Sequence, residues 1–376
     1  MLFANACSID CVMDVLGADK APCHLLVELD GHLTETTVRE NCDRSSVISV
    51  LKTLRFTPGR FGRSARWTAD GNGQLLVTSG AYSGAFENFC PDTHLAQLDC
   101  LARCVIIPRK RSTWLILSWK HTLCDARGGE ELLKIAAGEE SSAIVGEQPT
   151  LNRTTKRGQS IKQYFAKRRK LSSAVKPTKL HRFFISQKRN DLWSSHANQF
   201  FRSAVIIAAG VKALESKQSL LVAVPVAKGR KRIIPGNQLE VLHLFLPSNL
   251  NLTQSYEVIV REMEGVVRNG LPDQSNRFLT RISRGGRSIL GWALRYPGKN
   301  RFADLCVSAL GISNISSQLG GYSVTNVRHY PPMLNWGGTT LVYYEHGDVC
   351  TMVYLGEDRK VLDQVAQLIS GYDGKD

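Results

Sequence analysis

One stretch of this sequence holds no acid at all. Residues 151 to 190 contain thirteen lysines and arginines and no aspartate or glutamate. The chain's formal charge is +15, so nearly all of the excess sits in that stretch and the remainder is almost balanced. A near-neutral globular body with a basic segment set mid-chain is the simplest reading. Other absences narrow the classes further. No apolar run reaches the ~18 residues that a membrane-crossing helix needs. The opening stretch MLFANACSIDCVMDVLG lacks a basic region and carries Asp10 early. It is a poor secretory signal, so a cytoplasmic location is expected. None of the ten cysteines forms a Cys-x-x-Cys pair, and Cys7/Cys11 and Cys100/Cys104 are four apart. Reduced, mostly buried thiols are expected, and a zinc site is not. The histidines His24, His32, His94, His243, His329 and His346 are scattered, with no His-Glu-x-x-His pattern, so no metal is expected. Gly128-Gly129 is followed by neither a Gly-x-Gly-x-x-Gly pattern nor a Walker-type lysine, which excludes a phosphate loop. No repeat of solenoid period is present.

What remains is ordinary globular material. Of 376 residues, 43% are hydrophobic, enough for a sizeable core. That length suggests two domains or one two-lobed unit. The division expected is an amino-terminal lobe over 1–150, a basic linker or crossover over 151–190, and a carboxy-terminal lobe over 191–376. In the first lobe a strand-like run starts at Cys23 and turns at Asp30-Gly31. Thr34 or Thr36 then caps a helix carrying Val38, Cys42, Val47 and Val50. LLVTSG (75–80) is a short strand. Two strands around the basic turn Pro108 to Arg111 form a hairpin, and a helix is expected after Gly128-Gly129, closed by Gly138. In the second lobe a strongly apolar helix spans 200–214. A near-continuous apolar strand spans 219–227 and another 239–247. A helix over 255–267, a strand over 305–316, a hairpin over 339–356 and a last helix from Asp358 complete the pattern. Strands and helices mix in both halves, so the class is α/β or α+β.

The stretch SWKHTLCDARGGEELL (118–133) carries the chemistry. An apolar run delivers Lys120 and His121 at its end, and Asp125 follows four residues later. Histidine's unperturbed pKa lies close to neutrality, so it suits a general base. On these residues alone the simpler reading of His121 is a loop histidine near a surface aspartate, since a histidine and an aspartate in one loop are common. Cys124 as a thiol nucleophile lacks an orienting third group.

The order of elements resembles the CoA-dependent acyltransferase superfamily, which includes chloramphenicol acetyltransferase, peptide-synthetase condensation domains, and polyketide-associated and wax-ester acyltransferases. The resemblance runs along nearly the whole chain. Its motifs are KHTLCDA (120–126), where the family has His-His-x-x-x-Asp-Gly, with VPVAKGR (224–230), PGN (235–237) and SN (313–314). Lys120 and Ala126 depart from the family pattern, and no Asp-Phe-Gly-Trp-Gly run of the plant-type branch is present. The resemblance implies two chloramphenicol acetyltransferase-like lobes, each a mixed sheet with flanking helices, around a channel. It implies His121 as the base that deprotonates a hydroxyl or amine acceptor. Asp125 becomes a structural support paired with an arginine, for which Arg277, Arg281 and Arg284 are candidates. Ser313 and Asn314 become oxyanion or channel residues, with Trp336 lining the same channel. No bound cofactor or metal is implied; acyl-CoA or a phosphopantetheine thioester is the co-substrate.

The basic segment, with Lys167, Arg168, Arg169 and Lys170 at its densest, suits CoA phosphates or an acidic acyl carrier protein. Its aromatics Tyr164, Phe165, Phe183 and Phe184 would also suit peripheral contact with an anionic membrane and a lipid acceptor. Nucleic acid is disfavoured, since no recognisable module is present. A two-lobed chain of this kind is expected as a monomer. Two rivals stand beside the acyltransferase reading: an inactive binding or scaffold protein on the same fold, with Lys120 and Ala126 as its signs, and a condensation-type, amide-forming enzyme acting on carrier-bound substrates.

Overall fold

Alternate side chains of the strand Ser112–Trp119 serve two different cores, and the first half of the protein is built around that fact. Leu115, Leu117 and Trp119 pack on one face of the sheet with the buried residues of two helices, Glu35–Arg44 and Ala126–Ala137. Trp114 and Ile116 pack on the other face with Leu26, Phe86, Phe89 and Tyr330. A strand buried on both sides is apolar without alternation, which is why this run reads as continuous.

This is a computed structural model. It describes the whole chain except residues 1, 7, 18–19, 60–64, 72, 96, 142, 147–178, 194–198, 215–218, 228–232, 238, 248, 270–285, 296–302, 335–337 and 373–376. The class is mixed α/β, with two six-stranded sheets flanked by helices. The first sheet runs, in spatial order, Gln318–Leu319, Tyr322–Tyr330, Cys23–Asp30, Ser112–Trp119, Ala102–Pro108 and Leu75–Ser79. The second runs Leu239–Leu246, Leu220–Ala227, Leu305–Ile312, Thr339–His346, Val349–Gly356 and His181–Lys188. One face of the second sheet carries the helices Gln199–Ala213, Leu252–Asn269 and Arg359–Ser370. Residues 204–209 have no exposed surface, so the first of these helices is apolar all round. The other face takes the amino-terminal helix Ser8–Val15 through Ile9 and Val12, which meet Leu221, Ala223 and Val241. Pro225 fits the Leu220–Ala227 strand because its parallel pairing with Leu305–Ile312 stops at Val222 and Ala223. No described helix is long and apolar enough to cross a membrane.

Four features differ from the expectations above. The helix expected to carry Val38, Cys42, Val47 and Val50 is two helices, Glu35–Arg44 and Ser46–Leu51, parted at Ser45. The strand His181–Lys188, placed by composition in the basic linker, is the edge of the second sheet and pairs along its length with Val349–Gly356. The strand Tyr322–Tyr330, from the second half of the chain, crosses to the first sheet and pairs with Cys23–Asp30. The helix expected after Gly128-Gly129 begins earlier, at Ala126, so both glycines lie inside it.

That placement gives the glycines a packing role. A β-carbon on Gly129 would come within 2.5 Å of the Trp119 ring, and one on Gly128 within 2.5 Å of the Cys124 β-carbon. The helix can rest on the strand it follows only because these positions are bare. Overpacking a core of this kind costs about 1–3 kcal/mol. Gly129→Ala is therefore expected to lower stability by about 2 kcal/mol despite the better helix propensity of alanine, checked by urea denaturation.

Candidate active site

Immediately after Trp119 the chain makes a turn, closed by the Leu123 amide donating to the Lys120 carbonyl at 2.8 Å. The Trp119 indole donates to the Cys124 carbonyl at 3.1 Å, tying the turn's far side back to the strand. Asp125 then caps the helix Ala126–Ala137. Its Oδ1 accepts the Gly128 amide at 2.9 Å, and its backbone carbonyl accepts that of Gly129 at 3.0 Å. Its Oδ2 is buried and has no hydrogen-bond partner among the described residues. Arg277, Arg281 and Arg284 lie outside the described residues. Ala126 is the first helical residue, a position any L-residue can occupy, so the loop does not need a glycine there.

A second loop, from the other half of the chain, braces this turn. The Gly236 amide donates to the Leu123 carbonyl at 2.6 Å, and Gly236 (φ 110°) bridges to Cys124 as a short parallel pair. Asn237 has no exposed surface. Its side-chain amide donates to the His121 carbonyl at 2.6 Å and to Asp10 Oδ1 at 2.9 Å, while its backbone amide donates to the same Oδ1 at 2.8 Å. His121 keeps partial exposure, but its Nδ1 is buried without a hydrogen-bond partner among the described residues. Burial pushes the His121 pKa below the ordinary histidine value, opposed by its own carbonyl, Asp125, Asn237 and Asp10. The ring is thus neutral at neutral pH and able to accept a proton. Cys124, alongside it, is driven the other way: burial lifts its thiol far above the ordinary value, so it is no thiolate nucleophile.

Ser313 and Asn314 have partners that the sequence did not suggest. Glu130 lies within the helix capped by Asp125 and has no exposed surface. The Ser313 hydroxyl donates to Glu130 Oε1 at 2.8 Å and the Asn314 amide to Oε2 at 3.2 Å. Arg127 Nη1 donates to Oε2 at 2.7 Å, and His329 Nε2 lies 3.2 Å from Oε1. Arg127 also donates to the carbonyls of Leu310 and, at 2.6 Å, Ile312 in the second sheet. With its proton directed at Glu130, the Ser313 hydroxyl is occupied as a lobe-joining bond. Trp336 and Lys167, Arg168, Arg169 and Lys170 lie outside the described residues.

A comparable clamp sits at the other side of the first sheet. Arg182, on the edge strand of the second sheet, donates to Asp92 at 2.5 Å and to the Pro331 carbonyl at 2.8 Å. Asp92 also lies 3.5 Å from His24 Nε2, and the hydrogen bond from His24 together with Arg182 holds it down at about 2 despite burial. Sequence reasoning missed Glu130, His329, Asp10 and the part played by Asn237. Only Asn237 carried a signal, as the last residue of PGN.

The sequence matches no family model and no curated protein. Solved structures do match. A starter condensation domain of rhizomide synthetase RzmA, in a variant described as in a "product-released" conformation, superposes with a TM-score of 0.68 at 12% identity, covering 98% of this chain and 95% of that one. Another variant of that domain, in complex with C8-CoA and Leu-SNAC, gives 0.63 at 13% identity, covering 98% and 93%. The tallysomycin biosynthesis protein TlmII gives 0.62 at 13% identity, covering 99% and 98%. The chain therefore has the two-lobed condensation-domain fold.

Charged and hydrogen-bonded neighbours pull the Glu130 pKa down to about 2, well under the ordinary carboxylate value, against a burial penalty that would raise it. A depressed carboxyl stabilises the fold above its unfolded-state pKa, and this contribution is lost as pH falls toward the folded value. Glu130→Ala is expected to cost about 3 kcal/mol at pH 7. The gap between wild type and variant should shrink as pH drops from 6 to 3, read by denaturant titration at each pH.

Proposed function

We propose that this protein is an acyltransferase that moves an acyl group from a CoA or carrier-protein thioester to a hydroxyl or amine. The observation that carries this reading is His121: a neutral histidine with a buried Nδ1, on a loop braced from both halves of the chain. In the reaction His121 takes the proton as the acceptor oxygen or nitrogen attacks the thioester carbon. The tetrahedral intermediate then collapses. The carbon–sulfur bond breaks, and the proton passes from His121 to the departing sulfur, giving a free thiol and an ester or amide. This needs no redox partner. Asp125, as helix cap, holds the shape of the loop that carries the base. The matching condensation domain bound to C8-CoA and Leu-SNAC supports a thioester donor by analogy of fold. Lys167, Arg168, Arg169 and Lys170 in the basic segment are assigned to docking an acidic carrier protein or the CoA phosphates.

The test is release of free thiol from a panel of acyl-CoA and acyl-carrier donors mixed with hydroxyl and amine acceptors. His121→Ala is expected to lower kcat by about 100- to 10,000-fold, the range for a general base. Because burial lowers the His121 pKa, kcat/KM should rise on the acid side with a midpoint below 6.5 and level off by neutral pH. Full activity in the His121→Ala protein removes His121 from the mechanism. A panel in which no thioester is consumed leaves the fold serving as a binding scaffold.

A further inference from the structure

We infer that Asp10 and Asn237 are positioning residues for His121, forming a buried strut from the amino-terminal helix to the carbonyl of the catalytic histidine. This rests on the acyltransferase reading for its kinetic consequence, while the strut itself rests on geometry. Asp10 is 1% exposed and Asn237 0%. Asn237 spends one amide proton on Asp10 Oδ1 at 2.9 Å and the other on the His121 carbonyl at 2.6 Å. Its backbone amide goes to the same Oδ1 at 2.8 Å, so the Asn237 backbone and side chain are fixed by one carboxylate oxygen.

The consequence follows from what a carbonyl does to its own residue. A planar amide gripped at both hydrogens cannot rotate without losing a bond to a buried acceptor, which costs about 1–3 kcal/mol. The His121 carbonyl is therefore held in one place, and with it the φ and ψ angles that aim the imidazole. The three residues come from three parts of the chain: the helix Ser8–Val15, the turn after Trp119, and the loop Pro235–Asn237. The strut thus ties the base to the docking of the amino-terminal helix on the second sheet, where Ile9 and Val12 meet Leu221 and Ala223.

Asp10 also acts through its charge. Among the described residues, the carboxylates that favour a protonated His121 are Asp125, on its own loop, and Asp10, across the strut; its own carbonyl and the Asn237 side chain add to them. Asp10→Asn keeps an oxygen able to accept both bonds while it removes the charge and replaces Oδ2 by an amide group. Asn237→Ala removes the bonds.

The experiment follows His121 directly. Protein labelled with 13C at histidine Cε1 is titrated by NMR, with the His121 signal assigned by its loss in His121→Ala. Asp10→Asn is expected to lower the His121 midpoint by ~0.5 pH unit or more. The acid limb of kcat/KM should move by the same amount. Asn237→Ala is expected to lower kcat about 10- to 100-fold, with little change in donor KM. A His121 midpoint in Asp10→Asn equal to that of wild type overturns the proposal, as does an Asn237→Ala protein that folds and keeps its full kcat. The NMR titration needs no turnover. If wild type consumes no thioester yet the midpoint moves, the acyltransferase reading fails and the strut stands.

Discussion

Glu130 is a carboxylate without exposed surface, and the geometry of the loop that carries His121 depends on keeping it satisfied. A lone buried carboxylate is among the costliest groups a fold can carry. Here Arg127, Ser313, the Asn314 amide and His329 surround it, drawn from its own helix, the end of a second-sheet strand and the crossover strand of the first sheet. Those groups converge in one arrangement of the two sheets. The same helix is capped by Asp125, four residues after His121, so the docking of Glu130 also sets where the histidine loop ends.

The loop is therefore held from two directions by different chemistry. On the helix side the restraint is ionic and joins both sheets through Arg127. On the other side it is made of neutral hydrogen bonds from Gly236 and Asn237, anchored on Asp10. The Asp92–Arg182 clamp adds a third tie between the halves, at a distance from the loop in sequence. Between these restraints His121 is dry enough at Nδ1 to stay neutral, yet partly open, the combination that its proposed role as general base needs. Cys124, three residues on and fully buried, is kept a thiol by the same dryness.

Much of this was legible in the sequence where the signal was local. The hairpin delivering His121, the helix closed by Gly138, the apolar helix from Gln199 and the last hairpin all announce themselves through periodicity or turn residues. A threonine cap was also readable, at Thr34 or Thr36, and it is the Thr34 hydroxyl that accepts the Thr37 amide. What escaped was non-local. His181–Lys188 has ordinary strand residues such as Phe183, Phe184 and Ile185, but the surrounding lysines and arginines masked them. Tyr322–Tyr330 reads as a strand only once its partner is known, because its exposed and part-buried positions alternate weakly. Ser313 looked like a turn or channel residue because nothing in the sequence places Glu130 beside it, 183 positions away. Gly128-Gly129 looked like the approach to a helix rather than part of it, because the tryptophan ring that makes the bare positions useful belongs to the preceding strand.

The crossover strand has a consequence for how the protein is made. Cys23–Asp30 leaves the ribosome well before the strand that covers its free edge: Glu28 waits for Asn326, 298 positions on. At about 5–20 residues per second that interval is roughly 15–60 s, during which an apolar strand keeps an unpaired edge. Such an edge is a template for pairing with another nascent chain. The first sheet is completed only by a strand from the second half, and yield in the cell should depend on how well that edge is shielded during synthesis.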